Sequence, residues 1–108
     1  MARLPYRART ATGDTFDIAF PLHKETGSAV RVEQLVTAIL EAIDRDIAVA
    51  GETSNGDVLQ AVAMALAVRA RIIHAGSDVT ERLVAELVAG ALDAVAAASR
   101  DTPPVGHA

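Results

Sequence analysis

The 108-residue chain has the usual length of one domain, with 51% hydrophobic and 22% charged residues, so we expect one folded core and not a disordered chain. It contains no cysteine, which excludes a disulfide framework, a cysteine-ligated metal site and a thiol nucleophile. The net charge is −4, yet residues 1–13 hold three arginines and no acidic residue, so the charge is unevenly distributed.

Residues 1–13 show no clear hydrophobic period and contain Pro5 and Gly13, which predicts a flexible basic arm. This segment lacks the apolar core of a signal peptide, so we expect a cytoplasmic location. Arginines with a tyrosine between them can contact a nucleic-acid backbone, and the residues that would do so are Arg3, Arg7 and Arg9.

Residues 14–22 alternate, with Phe16, Ile18, Phe20 and Leu22 on one side, which is typical of a half-buried strand. The polar residues 23–27 suit a turn. Two interpretations of residues 28–32 remain open: Val30 and Val32 form the second strand of a hairpin, or Ser28 caps a helix that has already begun.

Three helices are predicted within a single helical domain that spans residues 14–100. The first has an apolar stripe at helical spacing and ends near Gly51; its stripe comprises Val32, Leu35, Val36, Ile39, Leu40, Ile43 and Ile47. The second runs over residues 56–75, with Ser54 as its cap, and is apolar over a wide arc. The third begins at Ser77 and frays towards Ser99.

The predicted fold is therefore mostly α with a minor β component, an N-terminal β-strand or short β-hairpin followed by a three-helix bundle. The second and third helices are joined by only two or three residues, which predicts an antiparallel hairpin. Residues 101–108 contain two prolines and a glycine and are predicted to form a disordered tail.

No residue pattern in the chain indicates catalysis, a metal site or a cofactor. The three histidines, His23, His74 and His107, have no metal-binding spacing. The acidic cluster of Glu41, Asp44 and Asp46 has Arg45 among it, which favours a solvated outer face. The longest uncharged apolar stretch, residues 58–68, is too short to cross a bilayer, so no membrane association is expected.

The predicted strand is marginal alone and needs a partner for its backbone and its apolar face. Gly90 interrupts the third helix at a small-residue patch where a second helix can approach. The sequence therefore favours a non-enzymatic accessory or regulatory protein that forms a homo-oligomer, most simply a dimer, and contacts another protein. The residues predicted to contact a partner are Phe16, Ile18, Phe20 and Gly90.

Two alternative functions remain open from the sequence. A nucleic-acid-associated regulator would use the arginine arm, but a helix-turn-helix is disfavoured because the third helix starts with Asp78 and Glu81, at the end that should face bases. A small-molecule-binding helical module would use an apolar crevice, which requires no sequence motif.

Overall fold

A computed structural model describes residues 2–10 and 13–101 of the chain. Strands β1 and β2 come first, three helices follow, and a short strand β3 ends the described part; the bounds are Arg3–Arg9, Thr15–Pro21, Ala29–Ala50 (α1), Asn55–Ile72 (α2), Ser77–Ala96 (α3) and Ser99–Asp101. This order confirms the predicted mostly helical fold, with an N-terminal hairpin followed by three helices.

The chain divides into two units. One comprises the sheet, the start of α1 and the end of α3; the other comprises Leu35–Leu87.

The prediction of a flexible arm is wrong for residues 3–9, which form β1 and pair antiparallel with β2. Leu4 is buried and its even-numbered neighbours are partly covered, whereas the arginines between them are exposed. The Leu22 N–H donates to the Ala2 carbonyl at 2.9 Å and the Thr10 N–H to the Asp14 carbonyl at 2.8 Å. Bonded pairs alternate along such a ladder, so the backbone of Pro5 faces away from β2 and its missing N–H costs no bond there.

The predicted strand at residues 14–22 is confirmed as β2, the central strand in the sheet order β1-β2-β3. Its even-numbered residues share a face with those of β1, because directly paired residues point to the same side. Leu4 and Ile18 are each only 7% exposed on this face, and the Tyr6 and Phe20 rings lie 6.3 Å apart. This face is the apolar core of the sheet.

The structure resolves the open interpretation of residues 28–32 in favour of a helix. The Arg31 N–H donates to Ser28 Oγ at 3.2 Å, so Ser28 caps α1 as the second interpretation requires. Gly51 ends the same helix: its N–H donates to the Ile47 carbonyl at 2.8 Å, and its φ is +96°. A left-handed residue at this position is the common way for a helix to stop.

Replacing Gly51 with alanine is expected to lower the free energy of unfolding by about 1 kcal/mol, because a side chain at positive φ is strained. Urea unfolding followed by circular dichroism measures the loss. Gly56→Ala is the matched control: Gly56 lies inside α2, and a Cβ there would meet only Ser54 Oγ at 3.8 Å. Equal effects of the two substitutions would contradict the assigned role of Gly51.

Helices α2 and α3 begin at the predicted places. Ser54 Oγ accepts a bond from the Asp57 N–H at 3.1 Å, as the predicted cap requires. At the start of α3, the Gly76 carbonyl accepts bonds from both the N–H and the hydroxyl of the buried Thr80.

The antiparallel α2–α3 hairpin is not observed, because within Leu35–Leu87 no helix pair is in extensive contact. In this part of the chain Thr80 is the only helical residue that is buried.

Candidate interaction surface

The apolar stripe predicted on α1 is present but largely uncovered. Leu35, Ile39 and Leu40 each expose 41–53% of their area, and Val32, Val36, Ile43 and Ile47 are partly exposed. A stripe of this width ordinarily faces a core. Exposed apolar stripes of this kind are a feature of interaction surfaces, so α1 is a candidate for one.

Helix α2 carries apolar residues on two opposite faces, as its wide apolar arc predicted. At 100° per residue, Ala61, Met64, Val68 and Ile72 lie along one side, which we call the Met64 face. Leu59, Val62 and Leu66 lie along the other, the Leu66 face. All the large apolar side chains of both faces are exposed. A helix with this composition is typical of the interior of a bundle.

Helix α3 also has exposed apolar side chains. Val79 and Leu87 are about half exposed, as are Val88, Leu92 and Val95 further along the helix. The described parts of all three helices thus present apolar side chains to the surroundings.

The structure places Phe16, Ile18 and Phe20 together on the apolar face of the sheet. Ile18 is buried within the chain itself, whereas Phe16 and Phe20 are half-buried. The guanidinium carbon of Arg100 lies 5.2 Å from the centre of the Phe16 ring, a cation–π contact. Partner contact through these residues stays a prediction, with the two phenylalanines more accessible than Ile18.

Gly90 lies beside the end of β2. A Cβ atom at this position would lie 3.6 Å from Pro21 Cγ, an ordinary van der Waals distance. Its near neighbour is therefore the sheet of the same chain. Contact between Gly90 and a second copy stays a prediction.

Arg3, Arg7 and Arg9 lie on one face of β1, opposite the apolar face. Arg7 donates two bonds to the Asp17 carboxylate, at 2.7 and 3.3 Å, and Arg3 donates to the Ala19 carbonyl at 3.3 Å. A paired arginine offers less positive potential to a phosphate than a free one. The geometry therefore weakens the support for nucleic-acid binding through this strand.

An ion pair that the sequence did not indicate joins the residue before β2 to strand β3. The Asp14 side chain, only 10% exposed, accepts bonds from Nε of Arg100, at 3.2 Å, and from its Nη2. The Asp14 N–H donates to Thr10 Oγ1 at 3.0 Å, so the same residue shapes the β1–β2 connection. The ion pair therefore couples this connection to β3.

The titratable residues considered for chemistry lie apart or at the surface. His23 Nδ1 accepts the Glu25 N–H at 3.1 Å, a local turn contact. Glu41, Asp44 and Asp46 are exposed along α1, as a solvated outer face requires. Among residues 2–10 and 13–101, no group of three histidine, aspartate or glutamate side chains is arranged to hold a metal ion. The predicted disordered tail comprised residues 101–108: Asp101 instead ends strand β3. His107 and residues 102–108 fall outside the described residues.

In the described part of the chain, none of the helices combines the length and the apolar character that crossing a bilayer requires. Comparisons of the chain with protein-family models, with curated proteins and with solved structures each found no match.

Proposed function

We propose that this chain is a non-enzymatic accessory or regulatory protein that forms a homodimer and acts through contact with another protein. The observation that supports this proposal most directly is the exposure of the large apolar side chains on α1, α2 and α3. Exposed apolar surface of this extent is characteristic of an interface and not of a solvated monomer.

The amount of apolar surface is suited to a dimer. Within Leu35–Leu87 the exposed leucine, isoleucine, valine and methionine side chains of the helices together leave on the order of 1,000 Å² uncovered per chain. A standard interface buries about 800 Å² on each partner. The exposed apolar area is therefore large enough to supply an interface with one further copy of the chain.

A second copy is a fitting partner because it supplies the same stripes in equal number. In a two-fold dimer each exposed face is repeated on the partner, so apolar area meets apolar area without another sequence being required. The alanines of α2 and α3 allow helices to approach closely, which suits a bundle completed between two chains.

Light scattering from the purified chain tests the dimer. We expect a mass near twice the 11.2 kDa of one chain, and a melting temperature that rises with protein concentration, because association stabilises the folded form by mass action. A mass of one chain, with a melting temperature independent of concentration, would overturn the proposal. The ratio of absorbance at 260 and 280 nm, recorded at low and high salt, reports any bound nucleic acid and so tests the arginine alternative.

Two variants on α1 test whether its apolar stripe is part of the dimer interface. Ile39→Asp places a charge within the apolar stripe and is expected to shift the protein towards the monomer. Val49→Asp is the control, because Val49 is 91% exposed and lies away from the stripe. Equal masses for the two variants and the unmodified chain would show that the α1 stripe is not part of the interface.

A further inference from the structure

Asp57, Met64 and Arg71 occur on α2 at intervals of seven residues, with the acid near the start of the helix and the base near its end. Seven residues fall only about 20° short of two full turns, so the three side chains lie along one side of the helix. Met64 is midway between the two charges. Met64 therefore lies between a negative and a positive charge, and Val68 and Ile72 continue the apolar Met64 face to the end of the helix.

The large apolar side chains of the Met64 face are more than half exposed. Met64 is 59% exposed, Val68 61% and Ile72 55%. Ala61 adds a small side chain beside them, which permits the 8–10 Å separation of packed helices. Helix α2 lies wholly inside Leu35–Leu87, so these exposed side chains all belong to one unit of the chain.

When two such helices pack side by side, opposite charges face each other in only one of the two orientations. In a parallel pair the two aspartates would be adjacent and the two arginines would be adjacent, which is repulsive at both ends. In an antiparallel pair related by a two-fold axis at Met64, Asp57 of each copy lies opposite Arg71 of the other. The axis lies midway because both charges are seven residues from Met64. The charges of two copies are therefore complementary in this orientation.

We propose that two copies of this chain associate through α2, packed antiparallel about a two-fold axis at Met64, with Asp57 of each copy paired to Arg71 of its partner. This proposal rests on the proposed function, because it names the helix that lies on the two-fold axis of the homodimer; the α1 stripe contributes further contact in the same interface. The occupant of the Met64 face is a second copy of the same helix.

Disulfide trapping tests the axis directly, because the chain has no native cysteine. A residue on a two-fold axis lies opposite itself, so Met64→Cys is expected to form a covalent dimer on mild oxidation, seen by non-reducing electrophoresis and reversed by reductant. Leu59→Cys is the control: Leu59 is 69% exposed but lies on the Leu66 face, and we expect no more than slow, concentration-dependent crosslinking. Equal crosslinking of the two variants would overturn the proposal.

A charge exchange tests the pairing. Asp57→Arg alone and Arg71→Asp alone each place like charges together at both ends of the interface, and we expect each variant to dimerise at least about tenfold more weakly than the unmodified chain. An equimolar mixture of the two variants restores opposite charges at both ends, so we expect a heterodimer by light scattering. Circular dichroism of each variant checks that α2 remains helical.

The outcomes separate the interface from the function. If the unmodified chain is a dimer, but Met64→Cys does not crosslink and neither charge variant weakens association, the α2 interface is wrong and the proposed function stands. If the unmodified chain is a monomer at every concentration, both are overturned. Crosslinking at position 64 together with recovery of the dimer in the mixture supports both.

Discussion

Replacing Ile18 with alanine is expected to lower the free energy of unfolding by about 3 kcal/mol, because the substitution removes three methylene-sized groups from a covered site and leaves a cavity. Ile18 is 7% exposed in the central strand β2, where it shares a face with the equally buried Leu4. These two residues are the buried hydrophobic side chains of the described chain. Loss of one should therefore weaken the whole sheet. Urea unfolding at fixed protein concentration measures the effect.

The control for Ile18 is Val30→Ala. Val30 is 63% exposed at the start of α1, so its truncation removes little covered area and is expected to change stability by less than about 0.5 kcal/mol. If Ile18→Ala cost no more than Val30→Ala, the assignment of the sheet face as the core would be wrong.

Replacing Arg100 with alanine is expected to lower the free energy of unfolding by about 2 kcal/mol. The substitution removes the bonds from the guanidinium to the nearly buried Asp14 carboxylate, and bonds to charged groups contribute about 1.5–3 kcal/mol. It also removes the cation over the Phe16 ring. The β2–β3 pairing, which spans only three residues, should open most readily, and faster amide hydrogen exchange in Thr15–Asp17 is the expected signature.

Arg7→Ala provides the comparison for Arg100. Arg7 also donates two bonds to one carboxylate, that of Asp17, but both side chains are substantially exposed, at 67% and 43%. Exposed pairs contribute up to about 1 kcal/mol, since water and salt screen them. A loss for Arg7→Ala as large as that for Arg100→Ala would show that burial of Asp14 is not what strengthens the second pair.

The predictions that the structure confirms rest on local signals. Ser54 and Gly51 mark helix ends through bonds to residues three or four positions away, so the relevant chemistry is contained in a short stretch of sequence. The alternation in residues 14–22 identified β2 for the same reason. The period of the apolar residues identifies the apolar face of a helix or strand whatever its position in the folded protein.

The prediction that failed for β1 concerned a local pattern with competing signals. In β1 the apolar residues Leu4, Tyr6 and Ala8 alternate with other residues. Pro5 and the arginines between them obscured this alternation, because proline and charged residues are typical of a loop. Pro5 is accommodated because its backbone faces away from β2. The register between β1 and β2 shows that Pro5 is tolerated, and this register cannot be found from either segment alone.

The sequence alone determined the three helices, the Ser54 cap, the end of α1 at Gly51, the apolar stripes and the central strand, because each depends on the spacing of residues within one segment. The tertiary structure alone decided that β1 is a strand, that Arg100 reaches Asp14 across 86 positions, and that the helical stripes remain exposed. Long-range pairing and burial depend on where distant segments meet, which no local period encodes. A stripe shows that a helix must be covered, but whether its own chain covers it is settled only in three dimensions.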